Sequence, residues 1–182
     1  MAVPQTVPVR RLSFEDVMAM VRAGILPETD HVELEGGVLV EMEPSGGPHG
    51  SRVTWLTMHF ARSLDEGFVV RVQDTFLIPD GGFYEPDILI GPPTGEEVPR
   101  SADLVVEVAV SSRRRDREKA AVYAAAGVAE YWIVDVAHGE VVVHREPEST
   151  GYRSALAHGR GERIAPLVPA AEVDVAALLQ GI

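Results

Sequence analysis

Residues 103–135 read DLVVEVAVSSRRRDREKAAVYAAAGVAEYWIVD, and this stretch decides the fold. Asp103 to Val110 is almost wholly β-branched or apolar. That composition suits a central strand buried on both faces. Arg114 to Ala126 is alanine-rich and is closed by Gly127, which predicts a helix with a glycine C-terminal stop. Tyr131 to Val136 is again strand-like, and Glu140 to His144 pairs with it across an Ala-His-Gly turn. One residue is out of place. Glu107 puts a carboxylate in the middle of the strand that should be the driest in the molecule.

Working outward, Ser13 starts a first helix through a capping box with Asp16. Phe14, Val17, Met18, Val21 and Ile25 form its apolar stripe, and Gly24 ends it. Residues 31–42 alternate around Gly36-Gly37 and predict a hairpin. Val53, Leu56, Phe60 and Leu64 recur at helical spacing, predicting a second helix over 49–64 that Gly67 terminates. Strands follow at 68–72, 75–78 and 87–90. After Pro147 the pattern thins to short strands near Tyr152 and Arg163 and a short helix at 174–179. The order of elements gives an α/β or α+β domain with a mixed sheet. Residues 1–12 read as an arm, and residues 13–182 as a single domain.

The chain has 182 residues, 46% of them hydrophobic and 24% charged, which excludes disorder as its basic state. It has no cysteine, so disulfides, thiolate metal sites and cysteine nucleophiles are excluded, and a reducing cytoplasm is the expected location. No apolar run is long enough for a membrane span, and the Pro-rich start lacks the apolar centre of a secretory signal. The net charge of −12 argues against general nucleic-acid binding, because phosphate contacts depend on Lys and Arg. The exception is local. Arg113, Arg114, Arg115, Arg117 and Lys119 outnumber Asp116 and Glu118 just after the central strand, giving a patch able to steer phosphate.

Three residues can carry chemistry. A carboxylate at Glu107 is costly unless it lies at an exposed strand end, pairs with a cation or binds a metal. Asp87, after Pro86, opens the strand Ile88-Leu89-Ile90. It is either a turn cap or, if that strand lies beside the Glu107 strand, a second acid at the same place. Two acids without histidine or cysteine partners form an all-oxygen site, suited to magnesium or manganese. Lys119 shares a helical face with Asp116 and Tyr123. It is either half of a solvated Asp–Lys pair or a cation aimed at the acids, able to orient water or neutralise phosphate. The histidines His138, His144 and His158 are too scattered for zinc.

The order Pro-Asp, strand Glu, then Lys resembles the PD-(D/E)XK nuclease superfamily. The usual lysine position, two past the glutamate, is Ala109 here, so the lysine is displaced to the following helix. In this the chain resembles the Uma-type restriction endonucleases. The matching stretches are VELEGG (32–37), the Pro-His of GGPHG (46–50), YEPDILI (84–90), DLVVEVAVSS (103–112), DREKAAVYAAAGVAEYWIVD (116–135) and VDVAALL (173–179). The resemblance implies a restriction-endonuclease-like α/β fold, with a mixed central sheet flanked by helices and an N-terminal helix and hairpin. It implies Asp87 and Glu107 as acidic metal ligands, the Val108 carbonyl as a further ligand, and Lys119 as the catalytic lysine. Glu33 would complete the site. His49 would approach it or cap its helix. Two departures stand out: Gly36 replaces an Asp before the hairpin glycine, and Val110-Ser111 stands where Ser-Pro is usual.

The expectation is a magnesium- or manganese-dependent endonuclease acting on nucleic acid, DNA first. Arg113, Arg114, Arg115 and Arg117 would meet phosphate, and the protein would be a homo-oligomer. The competing expectation is an inactive nuclease fold serving as a binding or accessory protein, which the acidic charge favours. A hydrolase of small nucleotides is a third, weaker reading.

Overall fold

The computed structural model describes residues 9–27, 29–42, 46–79, 81–110 and 113–182; the side chains of Arg113 and Arg114 fall outside that description. The expected arm over 1–12 lies largely outside it as well.

Helix α1 (Phe14–Arg22) begins where the capping box predicts. The Ser13 hydroxyl accepts from the Asp16 N–H, and the Asp16 carboxylate accepts from the Ser13 N–H at 2.9 Å. Strands β1 (Val32–Glu35) and β2 (Val38–Glu41) form the expected hairpin. Gly36 and Gly37 both have positive φ, as a two-residue turn that follows strand twist requires. Helix α2 (Gly47–Ser63) stops sooner than the sequence suggests. Leu64 is already extended, and Gly67, expected to end the helix, instead serves the turn beyond it.

Strands β3 (Val69–Val72), β4 (Phe76–Leu77), β5 (Phe83–Tyr84) and β6 (Ile88–Gly91) follow. The two-residue β5 has no periodicity to reveal it. Strand β7 (Leu104–Ala109) is the predicted central strand, buried at every position. Helix α3 (Arg113–Ala125) and strand β8 (Glu130–Asp135) complete the deciding stretch. Beyond it the sequence misleads. Strands β9 (Glu140–Glu148) and β10 (Gly151–Gly159) are nine residues each and form one long hairpin, not short fragments. Pro147 hides this. It lies near the turn, opposite Tyr152, past the part of β9 that pairs with β8, where a missing N–H is tolerated. Strands β11 (Arg163–Ile164) and β12 (Val173–Asp174) and helix α4 (Val175–Gln180) close the chain.

The main sheet has the order β10-β9-β8-β7-β6-β3 and is antiparallel except between β7 and β8; a second sheet has the order β2-β1-β5-β4. The parallel pair needs a crossover, which α3 supplies. Alternation along β7 divides the core. Leu104, Val106 and Val108 pack with Leu56 and Phe60 of α2 and Leu178 of α4. Val105 and Ala109 pack on the opposite face with Tyr123 of α3 and with Tyr131. Burial of each large apolar side chain contributes roughly 1.5–3 kcal/mol, so truncating Leu104 to Ala would cost about 2–5 kcal/mol. By the same alternation Glu107 faces α3, which delivers the next part of the site.

Candidate active site

The antiparallel register sets the site. Ile88 lies opposite Val106, and Asp87 precedes it in a bend just outside the ladder, close enough for its charge to act on Glu107. Asp87 does not continue the strand ladder. Its carboxylate Oδ2 accepts from the Val108 N–H at 2.8 Å, standing in for a strand carbonyl. The β7–β8 ladder explains why that N–H is available. Asp103 O and Ala109 O accept from Glu130 and Val136 N–H groups, so the odd carbonyls of β7 face β8. Val108 therefore turns both its N–H and its C=O toward the β6 side, where Asp87 sits.

Asp87 is held from two other directions. His49, in the first turn of α2, meets Oδ2 through Nε2 at 2.9 Å. Gln73 donates its side-chain amide to Oδ1 at 3.3 Å. The bond to Asp87 raises the His49 pKa; burial opposes this, and the charges of Asp87, Glu107 and Asp116 add to the rise. The second nitrogen of His49, Nδ1, is buried and has no hydrogen-bond partner among the described residues.

Glu107 is 6% exposed, so neither an exposed strand end nor a solvated pair describes it. Its Oε1 accepts from Lys119 Nζ and from the Tyr123 hydroxyl, each at 2.9 Å. Lys119 also donates to Glu33 Oε1 at 2.9 Å and lies over the Tyr84 ring. Asp116, Lys119 and Tyr123, one helical face in the sequence, are all buried. Burial pushes the Glu107 carboxyl up to about 7; Lys119 opposes that, while Asp87, Asp116 and Glu33 reinforce it. Burial lowers the Lys119 pKa, but Glu107 and Glu33 more than reverse this and keep it an ammonium. Removing such a shared cation from two buried carboxylates costs about 3–5 kcal/mol.

Glu33 is fully buried on β1. Besides Lys119 it accepts from Arg115 Nη2 at 2.7 Å and from the Glu85 N–H at 3.2 Å. Arg115 also binds Glu35 at 2.7 Å. The sequence reading placed Arg115 among phosphate-steering arginines, but its guanidinium is directed at these two carboxylates. Two acids on one strand, spaced by a single residue, outcompete solvent for a nearby planar donor fork. Arg117 is exposed, and its charge is felt at His144 on β9. The side chains of Arg113 and Arg114 lie outside the described residues.

The structure therefore brings Asp87, Glu107, Val108, Lys119, Glu33 and His49 together and separates Arg115 from the steering group. It adds Tyr123 and Gln73. Tyr123 was visible as part of the Lys119 face, although its spacing carried no role. Gln73 had no signal at all.

The donors also bear on a metal. Among the described residues no three His, Asp or Glu side chains converge as cation ligands. The candidate donors are the carboxylates of Asp87 and Glu107, the charge of the first acting on the second, and the Val108 carbonyl, which the ladder turns toward the β6 side. This hard, all-oxygen set suits magnesium, which keeps several of its waters. A divalent charge would also relieve the burial that raises the Glu107 carboxyl. The residues fit such an ion.

A mixed sheet between helices, with an acid opening one strand and a second acid within its neighbour, defines a restriction-endonuclease-like fold. The same fold occurs in a crystal structure of a putative nuclease belonging to DUF820 from Anabaena variabilis ATCC 29413, with a TM-score of 0.77 and 14% sequence identity, covering 95% of this chain and 98% of that one. The chain belongs to the Uma2 family, described as "Putative restriction endonuclease", which matches residues 14–176. No curated protein matches the chain. Family and fold together place it among putative nucleases.

Proposed function

We propose that this chain is a metal-dependent endonuclease that hydrolyses phosphodiester bonds in nucleic acid, DNA first. The observation that carries the reading is a pair of buried acids at neighbouring positions of β7: Asp87 bound to the Val108 N–H, and Glu107 bound to the Lys119 ammonium. Asp87, Glu107 and the Val108 carbonyl would hold magnesium or manganese. When bound, such an ion polarises the phosphoryl oxygen and lowers the pKa of a water. The chain's own groups do the rest. Lys119 places a positive charge where phosphate oxygens gain negative charge during in-line attack. Glu33 keeps that ammonium in place, and His49 fixes the Asp87 carboxylate. Arg113, Arg114 and Arg117 are the remaining candidates for phosphate steering, while Arg115 positions Glu33.

The test is cleavage of plasmid and single-stranded oligonucleotides with magnesium, with chelator, and with Asp87→Ala. The reading expects magnesium-dependent nicking that falls by at least about 10²-fold in the variant. Equal cleavage by both proteins, or cleavage indifferent to chelator, contradicts it. A second reading has one observation in its favour. The chain carries −12, and Arg115 is spent on its own carboxylates, as suits an inactive binding or accessory protein. Absence of cleavage under every metal condition, with nucleic-acid or protein binding retained, would select it.

A further inference from the structure

Beside the acids, between α2 and β3, lies a cavity of about 330 Å³, lined by His49, Val53, Thr54, Thr57, Val72 and Gln73 along with Gly50. It adjoins the site, because His49 and Gln73 in its wall both bond to the Asp87 carboxylate. Among the described residues no lysine or arginine lines it, which suits an uncharged group better than a second phosphate. Thr54 and Thr57 spend their hydroxyl protons on the carbonyls of Gly50 and Val53, each at 2.8 Å. The walls are thus mainly apolar, with an amide and an imidazole at the end nearest Asp87. A nucleobase has that chemistry: apolar faces and an edge of donors and acceptors. The volume is at the small end for ligand sites, enough for one nucleoside.

Gln73 bears an independent mark. Its φ is 49°, a left-handed conformation that glutamine seldom adopts. Its N–H donates to Pro86 O at 3.1 Å and to Asp87 O at 3.3 Å, which holds it there. A backbone outlier bound to a site acid and facing a cavity is the kind of strain that serves a site.

We propose that this groove seats the base of the nucleotide flanking the scissile phosphate, with Gln73 reading its edge and His49 and the Val72 side chain bounding it. The identity of the ligand rests on the nuclease reading. A base stacked in a duplex cannot enter without being extruded, so the substrate class is unpaired nucleic acid: single strands, loops or frayed ends.

The test is a titration of the ¹⁵N-labelled full chain with thymidine 5′-monophosphate and, separately, with 2-deoxyribose 5-phosphate, which lacks the base. Saturable amide shifts at Thr54, Val72 and Gln73 are expected with the nucleotide. Affinity for the base-free sugar should be weaker by about tenfold or more, the loss expected of one stacked base. Thr57→Phe, which fills the groove, and Gln73→Ala should weaken nucleotide binding to a similar extent. Val72→Trp fills it from the exposed strand edge should Thr57→Phe disturb folding. The proposal is overturned by absence of saturable binding, by shifts mapping elsewhere, by equal affinity for the base-free sugar, or by undiminished binding in the folded filled variants. Binding needs no turnover. A chain that binds but never cleaves overturns the nuclease reading alone, and one that cleaves but fails this titration overturns the groove alone.

Discussion

Lys119 and Glu107 are bonded to each other, yet their substitution should have opposite consequences for stability. Lys119→Met leaves Glu33 and Glu107 buried without their shared cation, so the protein should lose about 3–5 kcal/mol along with activity. Glu107→Gln removes a buried charge but keeps the shape and an acceptor for Tyr123. It should abolish cleavage while leaving the melting temperature at neutral pH unchanged or higher. Denaturation melts of both variants check this; a Glu107→Gln protein as unstable as Lys119→Met would show that the carboxylate is mainly a structural partner. The raised carboxyl adds a pH signature. Its value is about 7 in the fold against 4.5 for the ordinary group. The folded state therefore holds the proton more tightly. The resulting stabilisation is full below pH 4.5 and is lost as pH rises through about 7. In chelator, wild type should lose stability relative to Glu107→Gln across that window. A constant difference would mean the carboxyl titrates normally.

At the scale of elements, the first strand and third helix are tied by Arg115, which bridges α3 to Glu33 and Glu35 of β1. Arg115→Ala should cost about 1.5–3 kcal/mol, the range for hydrogen bonds to charged groups. Hydrogen exchange should quicken in β1 and β2 while the β7–β8 ladder stays protected. Uniform acceleration throughout the sheet would deny Arg115 this local role. The same contacts show what a sequence can and cannot reveal. Strand β7, helix α3 and strand β8 were legible because their burial is written in local composition and period. The bond between Glu107 and Lys119 was legible as an order of residue types, because a buried acid demands a partner. The destination of Arg115 was not, since the hairpin carboxylates that capture it lie 80 or so positions earlier and only the tertiary fold brings them close. The long β9–β10 hairpin was masked by Pro147. Gln73 was invisible, because its importance resides in a backbone conformation that its side chain does not favour.

At the scale of the whole molecule, charge and burial pull in one direction. Net charge is −12, and Arg71, Arg115, Arg145 and Arg153 are all engaged with the chain's own acids. The proposed steering group, Arg113, Arg114 and Arg117, is then what displaces counterions from a nucleic acid. The plot of log affinity against log salt for an oligonucleotide should therefore have a slope no steeper than about −3, near three phosphate contacts. A slope several times steeper would reveal an extended basic face. Among the described residues no helix is long and apolar enough to cross a membrane. The proposed reaction centre rests on Asp87, just before β6, and Glu107 on β7. Calorimetric titration of the chelator-treated protein with magnesium and manganese addresses it most directly. The wild type should bind a divalent ion, and Asp87→Ala and Glu107→Gln should each lose that binding while remaining folded; the same isotherm from all three proteins would contradict the account.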